Sequence, residues 1–492
     1  MTSFPIQINS TTDPIGDVQA DWLVVAIPQD GATTAVAELD ARSNGEISRL
    51  RESADVTGKS LEIVTILSPR GIAARRLMLI GIGQVEKLSR SVIHDAFAAA
   101  MRSITGRKFG RIAIALPSPA RSADLVAVTL GVGIGAIQGC IGPGVRKSEA
   151  SRFAPDEIVF VDETSPQLIA RVRSESAAMT LARNLVNAPP CDLYPESFAQ
   201  IAAEPVAGVE CEIWDEQRLE RERMGAILGV AEAAARPARL VILRYRSAGA
   251  APALALVGKG VTFDSGGLSL KTNEQMADMK CDMAGAAAVL AAIRAAAQLQ
   301  LPVNLLGIMP IVENMPGGKA LKLGDVLRAR NGKTIEVLNT DAEGRLILAD
   351  ALAYAAEQKP GHIVDLATLT GSCMIALGTD IAGLMTNNSA WAERIQSSAK
   401  RAGERVWPLP MDADFAELIK SNVADVKNVA GNRYSGAIVG GKFLEQFVGE
   451  VPWAHLDIAG PAWADHESPS RDAGGTGAFV RTLIELAATY SN

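Results

Sequence analysis

The sequence predicts an α/β protein built as two domains. Three observations carry that expectation. The chain has 492 residues, more than one hydrophobic core usually serves. Short apolar runs alternate with helix-like segments, the signature of strands and helices packed in layers. A turn-rich cluster, Asp162-Glu163-Thr164-Ser165-Pro166, separates two such series.

In chain order, 21–27, 61–67, 76–81 and 111–116 read as strands, with a helix over Arg90–Ile104. The uncharged stretch Leu125–Val145 is long enough to span a membrane. Its six glycines, Gln138 and Pro143 dilute it, so it predicts a buried helix followed by a Gly/Pro turn. Strand Glu157–Val161 ends the first domain, residues 1–165. Gln167–Asn187 reads as one helix closed by Ala188-Pro189-Pro190, and 166–190 connect to a second domain, 191–492. There Arg239–Tyr245, Ala253–Val257, Val303–Met309, Thr334–Leu338 and His362–Leu366 read as strands, with helices at Gly285–Gln298 and Ile347–Glu357. Asn331-Gly332 between apolar runs reads as a hairpin turn.

Net charge is −7 and the pI is near 5.4, which argues against attraction to nucleic acid or an anionic membrane. Five scattered cysteines without a C-x-x-C read as reduced thiols of a cytoplasmic protein. Met1–Pro5 opens no basic-then-apolar signal pattern. Only four histidines are present, too few for a His-rich zinc site, and His455 reads as a core or supporting residue. Ser265 lies in Phe-Asp-Ser-Gly-Gly, not in a G-x-S-x-G elbow. Gly131-x-Gly133-x-Gly135 follows a helix-like run, not a strand, and lacks a suitably placed acidic residue, which argues against a dinucleotide loop.

The chemistry concentrates in Asn339-Thr340-Asp341-Ala342-Glu343-Gly344-Arg345-Leu346. In extended backbone Asp341 and Glu343 would point to one face. Two anions side by side repel, and a bound cation is the usual offset. A lone D-x-E would read as a solvated turn. Upstream, however, Lys259 and Asp264 lie in a Gly-rich strand end, Val257–Gly267, followed by Lys271 and by Asp282 at the opening of an Ala-rich helix. Taken singly, Asp282 reads as a helix N-cap. Taken together, these residues make a set of oxygen and amine donors.

In order and spacing the set closely resembles the leucyl aminopeptidase (cytosol aminopeptidase) family of two-metal exopeptidases, strongly over 180–485 and weakly over the first 165 residues. The resemblance implies a smaller N-terminal α/β domain, assigned to oligomer contacts and regulation. A helix joins it to a larger catalytic α/β domain with a mixed central sheet. It implies a metal-dependent hydrolase that removes amino-terminal residues, preferably Leu or other apolar ones, from peptides with a free amino terminus, using a two-metal-activated water. Metal ligands by resemblance are Lys259, Asp264, Asp282, Asp341 and Glu343, with Asp264 and Glu343 bridging. Lys271 would stabilise the oxyanion, and Arg345 would hold bicarbonate as general base. Met279, Thr368, Leu369 and Gly371 would contact the substrate. Mn²⁺ or Zn²⁺ is expected, while Mg²⁺ and Co²⁺ also suit the oxygen-rich set. The family further implies a cytoplasmic homohexamer. An alternative is a bifunctional member that also binds DNA as a regulatory or recombination accessory protein, with Arg70, Arg75, Arg76, Arg107, Lys108 and Arg111 as basic candidates.

Overall fold

The computed structural model describes residues 6–117, 125–162, 164–432 and 434–490. Glu163 of the turn-rich cluster and residues 1–5 lie outside that set. The chain divides into two compact units. One comprises 1–180 with 401–403 and 466–473; the other comprises 181–400, 404–465 and 474–492. Helix Pro166–Asn187 contributes residues to both.

The first unit carries a six-stranded sheet of β1 (Gln7–Thr11), β2 (Trp22–Ile27), β3 (Ile63–Leu67), β4 (Arg76–Gly81), β5 (Arg111–Ala115) and β6 (Glu157–Val161), ordered β1-β6-β5-β2-β4-β3. Neighbours are parallel except β3 and β4. Five of these strands are legible as apolar runs. The sixth, β1, is too polar to be read that way, since only Ile8 of Gln-Ile-Asn-Ser-Thr is buried. Leu23, Val25, Leu77, Leu79 and Ala113 form part of the core.

The uncharged stretch folds as the expected buried helix, Leu125–Cys140. Three of its four glycines recur every four residues, which places Gly131, Gly135 and Gly139 on one face. That face packs on helix Arg90–Ile104: a Cβ at Gly135 would lie 2.2 Å from the His94 carbonyl oxygen, and one at Gly139 2.5 Å from that of Ala98. Among the described residues no helix is long and apolar enough to cross a membrane. Segment 466–473 joins this unit through Asp472, which accepts from Arg102 Nη1 at 2.5 Å and Arg152 Nη1 at 2.6 Å.

The second unit is built on a nine-stranded mixed sheet. Its strands are β7 (Val209–Trp214), β8 (Arg239–Tyr245), β9 (Leu254–Gly258), β10 (Gly260–Asp264), β11 (Leu305–Asn314), β14 (His362–Ala367), β15 (Ala382–Thr386), β16 (Val406–Pro408) and β18 (Trp453–Asp457). A small sheet holds β12 (Val326–Arg328), β13 (Thr334–Glu336) and β17 (Val426–Lys427); β12 and β13 form the expected hairpin at Asn331-Gly332. In the large sheet β18, β14, β9 and β11 run parallel, β8 is antiparallel to β11 and to β7, and β15 is antiparallel to β18 but parallel to β16. Helices Ala284–Gln298 and Gly344–Glu357 are almost wholly buried, consistent with parallel strands covered on their faces.

One break in this sheet makes the site. The ten-residue β11 pairs with β9 through Leu305–Ile308 and with β10 through Ile311–Asn314. Lys259 occupies the interruption between β9 and β10, flanked by two glycines. A Cβ at Gly258 would lie 2.6 Å from the Gly285 and Ala286 backbone, and one at Gly260 2.5 Å from the Pro310 carbonyl oxygen. No larger residue fits at either position.

Candidate metal centre

The expectation that Asp341 and Glu343 meet by strand alternation is wrong. Strand β13 ends at Glu336, Thr340 and Asp341 form a turn, and Glu343 is already helical at φ −74°, ψ −34°. Helix Gly344–Glu357 therefore starts three residues earlier than the sequence suggests. It is this turn-to-helix path that brings the two carboxylates together. The turn is stapled by Thr340, whose hydroxyl donates to the Gly266 carbonyl at 2.7 Å and accepts from Ser269 N–H at 2.8 Å.

Opposite this turn, the end of β10 supplies Asp264. Oxygens of Asp264, Asp341 and Glu343 all lie within 4.8 Å of one another. Lys259 Nζ reaches Asp282 Oδ1 at 2.8 Å and Glu343 Oε1 at 2.9 Å, and donates to the Thr368 carbonyl at 3.0 Å. Lys271 Nζ reaches Asp264 Oδ2 at 2.8 Å and also pairs with Asp341. Asp282 is not an N-cap: the helix after it starts from Met283 without a side-chain cap. Instead Asp282 Oδ1 accepts from Lys259 and from the Thr368 hydroxyl at 2.7 Å.

Electrostatically the centre is short of positive charge. Two ammonium groups face four carboxylates. Burial opposes the charge on Lys259, yet Asp282, Glu343 and Asp264 outweigh it and hold that ammonium far above the usual lysine range. Burial raises Glu343, and the adjoining Asp264 raises it further, against the pull of Lys259. Asp282 and Asp341 are raised too, by burial first. Carboxylates pushed towards neutrality by burial, and further by one another, are a site suited to divalent cations. A second observation agrees. Asp282 Oδ2 is buried and has no hydrogen-bond partner, a state that costs free energy unless a ligand meets it.

Arg345 is buried beside this cluster. It makes no ion pair among the described residues; its Nη1 donates to the Asn428 carbonyl at 2.6 Å and its Nε has no partner. Burial pulls the guanidinium down to about 10, against the attraction of Glu343 and Asp457. A buried guanidinium with free donors suits a small anion. Thr368 is tied to the centre as described, and Leu369 N–H donates to Asp457 Oδ1 at 3.2 Å. Gly371 opens helix Gly371–Leu377 with open space beyond its Cα. Met279 is half-buried on the 3-10 turn leading into Asp282. His455 is a core residue, fully buried, with Nδ1 2.6 Å from Asp365 Oδ1. A cavity of about 290 Å³ lined by Arg223, Met224, Leu228 and Arg328 contains none of these residues.

Three supporting residues escape a reading of the sequence. Asn314, at the end of β11, donates to Asp264 and to the Thr340 carbonyl. Asn428 accepts from Leu338 N–H at 2.9 Å, donates to the Asn339 carbonyl at 2.7 Å and anchors Arg345. Asp457, at the end of β18, accepts from Leu369 N–H and from the Thr370 hydroxyl at 2.6 Å. Each is a polar residue closing an apolar strand or following a short one. That position is the only signal the sequence offers.

Comparison with known proteins identifies this mixed α/β sheet, with its carboxylate and lysine cluster at the strand ends, as that of a peptidase, a hydrolase of aminopeptidase type. The chain belongs to the cytosol aminopeptidase family: residues 180–484 match its catalytic domain and 24–137 its N-terminal domain. It is 45% identical over 461 residues to a probable cytosol aminopeptidase of Rhodopirellula baltica, covering 92% of this chain and 90% of that one. It is 42% identical over 490 residues to one of Solibacter usitatus, covering 98% and 99%. Among solved structures, a mutant of tomato leucine aminopeptidase superposes with a TM-score of 0.88 at 33% identity, covering 99% of this chain and 97% of that one. The bottromycin maturation enzyme BotP in complex with Mn superposes with a TM-score of 0.85 at 34% identity, covering 96% and 100%.

Proposed function

We propose that this protein is a metal-dependent aminopeptidase that removes amino-terminal leucine and other apolar residues from peptides. The observation that carries the reading is the convergence of Asp264, Asp341 and Glu343 within 4.8 Å, joined through Lys259 to Asp282, one of whose oxygens is buried without a partner. Asp264, Asp282, Asp341 and Glu343 would hold two divalent ions, Mn²⁺ or Zn²⁺, and Lys259, an ammonium while those carboxylates surround it, would join them as an amine ligand by giving up a proton as the metal binds. BotP's complex with Mn supports Mn²⁺. Bound there, the ions would supply Lewis acidity and activate water near neutral pH.

The chain's own residues supply the rest. Lys271, held as an ammonium between Asp264 and Asp341, offers a fixed positive charge to an oxyanion forming on the substrate carbonyl. Arg345 would hold bicarbonate, the proton acceptor. The loop from Thr368 to Gly371, fixed to Asp457, would align the peptide backbone, with Met279 beside the first side chain. A homohexamer in the cytoplasm is part of the same proposal.

A DNA-binding role draws less support. Arg75, Lys108 and Arg111 pair with Asp21, Asp156 and Glu157, while Arg76 and Arg107 stack on Phe109. The deciding experiment is hydrolysis of Leu-p-nitroanilide by chelator-stripped protein with and without added Mn²⁺. Equal turnover in both sinks the proposal.

A further inference from the structure

Asn314 stands directly across from Asp264 in the parallel pairing of β10 with β11. Both residues end their strands, and both are almost fully buried, at 4% and 2% exposure. The Asn314 carbonyl oxygen accepts from Ser265 N–H at 3.0 Å and from the Ser265 hydroxyl at 2.7 Å. The start of the loop that carries Lys271 is therefore fixed to the same residue.

Its side chain is the more telling part. Nδ2 lies 2.8 Å from Asp264 Oδ1, 3.0 Å from the Thr340 carbonyl oxygen and 3.5 Å from Glu343 Oε2. A carbonyl and two carboxylates are acceptors, so the nitrogen, not the amide oxygen, must face them. An amide NH₂ has two hydrogens and no charge. Its two hydrogens serve Asp264 and the Thr340 carbonyl, with Glu343 Oε2 a longer, shared contact, and it adds no third cation. An aspartate here would add a fifth carboxylate; a leucine would have the shape and no donor. Asp264 Oδ1 also accepts from Gly266 N–H at 2.8 Å, while its Oδ2 faces Lys271. The plane of that carboxylate is thus set from two directions.

We propose that Asn314 is a positioning residue of the metal centre: its amide sets the mutual orientation of Asp264 and Glu343, and through it the affinity for divalent ions. This rests on the metal-dependent reading above. Groups that orient ligand side chains are commonly worth about tenfold to a hundredfold in metal affinity.

The test is calorimetric titration of Mn²⁺ into chelator-stripped protein, comparing wild type with Asn314→Leu and Asn314→Ser. Wild type is expected to take up two Mn²⁺ per chain. Each variant, with an unchanged circular dichroism spectrum, is expected to show at least one dissociation constant raised about tenfold to a hundredfold. Turnover should then fall at limiting Mn²⁺ and recover at saturating Mn²⁺, which general damage to the fold would not produce. If the leucine variant does not fold, the smaller, polar serine variant decides. A folded Asn314→Ser protein that binds both ions with wild-type affinity overturns the role of Asn314 alone. A wild type that binds no Mn²⁺ overturns the metal-dependent reading and this role with it.

Discussion

Gly344 leaves the space that Lys259 fills. A Cβ at residue 344 would lie 2.4 Å from Lys259 Cε and 2.6 Å from its Nζ. Helical backbone accepts alanine readily, so Gly344→Ala should fold and instead drive the lysine away from Asp282 and Glu343. A displacement of this size in a catalytic centre costs about a hundredfold. We expect kcat/KM for Leu-p-nitroanilide to fall by that order while the thermal midpoint barely moves. Wild-type turnover would show that Lys259 need not sit where it does.

Lys271 is the cation nearest the open side of the centre, its side chain 13% exposed against 4% for Lys259. Lys271→Ala should lower kcat by about 10²–10³-fold, the usual worth of a charge aimed at a developing oxyanion. Mn²⁺ uptake should persist, because Lys271 is not a proposed ligand. Glu343→Ala, by contrast, should lose both turnover and metal. Steady-state kinetics beside metal analysis separates the two, and a Lys271→Ala enzyme within tenfold of wild type removes the assignment.

Exhaustive chelation should abolish hydrolysis, and Mn²⁺ should restore it. N-acetyl-Leu-p-nitroanilide should not be cleaved, since it has no free amine to anchor. Brisk release of nitroaniline from that substrate would refute amino-terminal recognition.

Acid should unfasten segment 466–473. Burial raises the Asp472 carboxyl, but the hydrogen bonds and charges of Arg152 and Arg102 outweigh it and leave it below the usual range. Its folded pKa is therefore below the unfolded value of about 3.9. The stabilisation is fully present above that value and is lost as pH falls through the folded one. Asp472→Asn should cost about 1–2 kcal/mol at pH 7, after allowance for partial solvent access. The gap in urea-unfolding free energy should narrow below about pH 3.9. A gap of constant size down to pH 3 would assign the effect to shape, not charge.

Much of the fold could be read from local pattern. Apolar runs bounded by turns marked β2 to β6, and an Ala-rich run marked helix Ala284–Gln298. The Asn-Thr-Asp-Ala-Glu-Gly-Arg-Leu stretch marked the centre. What local pattern could not supply was the path of the chain between marks. Gly258-Lys259-Gly260 reads as one strand ending, whereas two strands share the edge of β11 with Lys259 between them. Asp341 and Glu343 converge through a turn and a helix start, because the Thr340 staple outweighs the extended tendency of the run before it. Asn314, Asn428 and Asp457 come from strand ends up to some ninety residues away from their partners. No local motif announces them.

The anchoring of Arg345 by Asn428 and of Leu369 by Asp457 also bears on when hydrolysis can begin. Domains form progressively as the chain leaves the ribosome. A chain stopped short of residue 428 already holds every acidic side chain of the cluster but lacks the residues that anchor Arg345 and the loop at Leu369 and Thr370. On the proposed function, a chain made only that far would have its acidic cluster without the fixed surroundings that turnover needs.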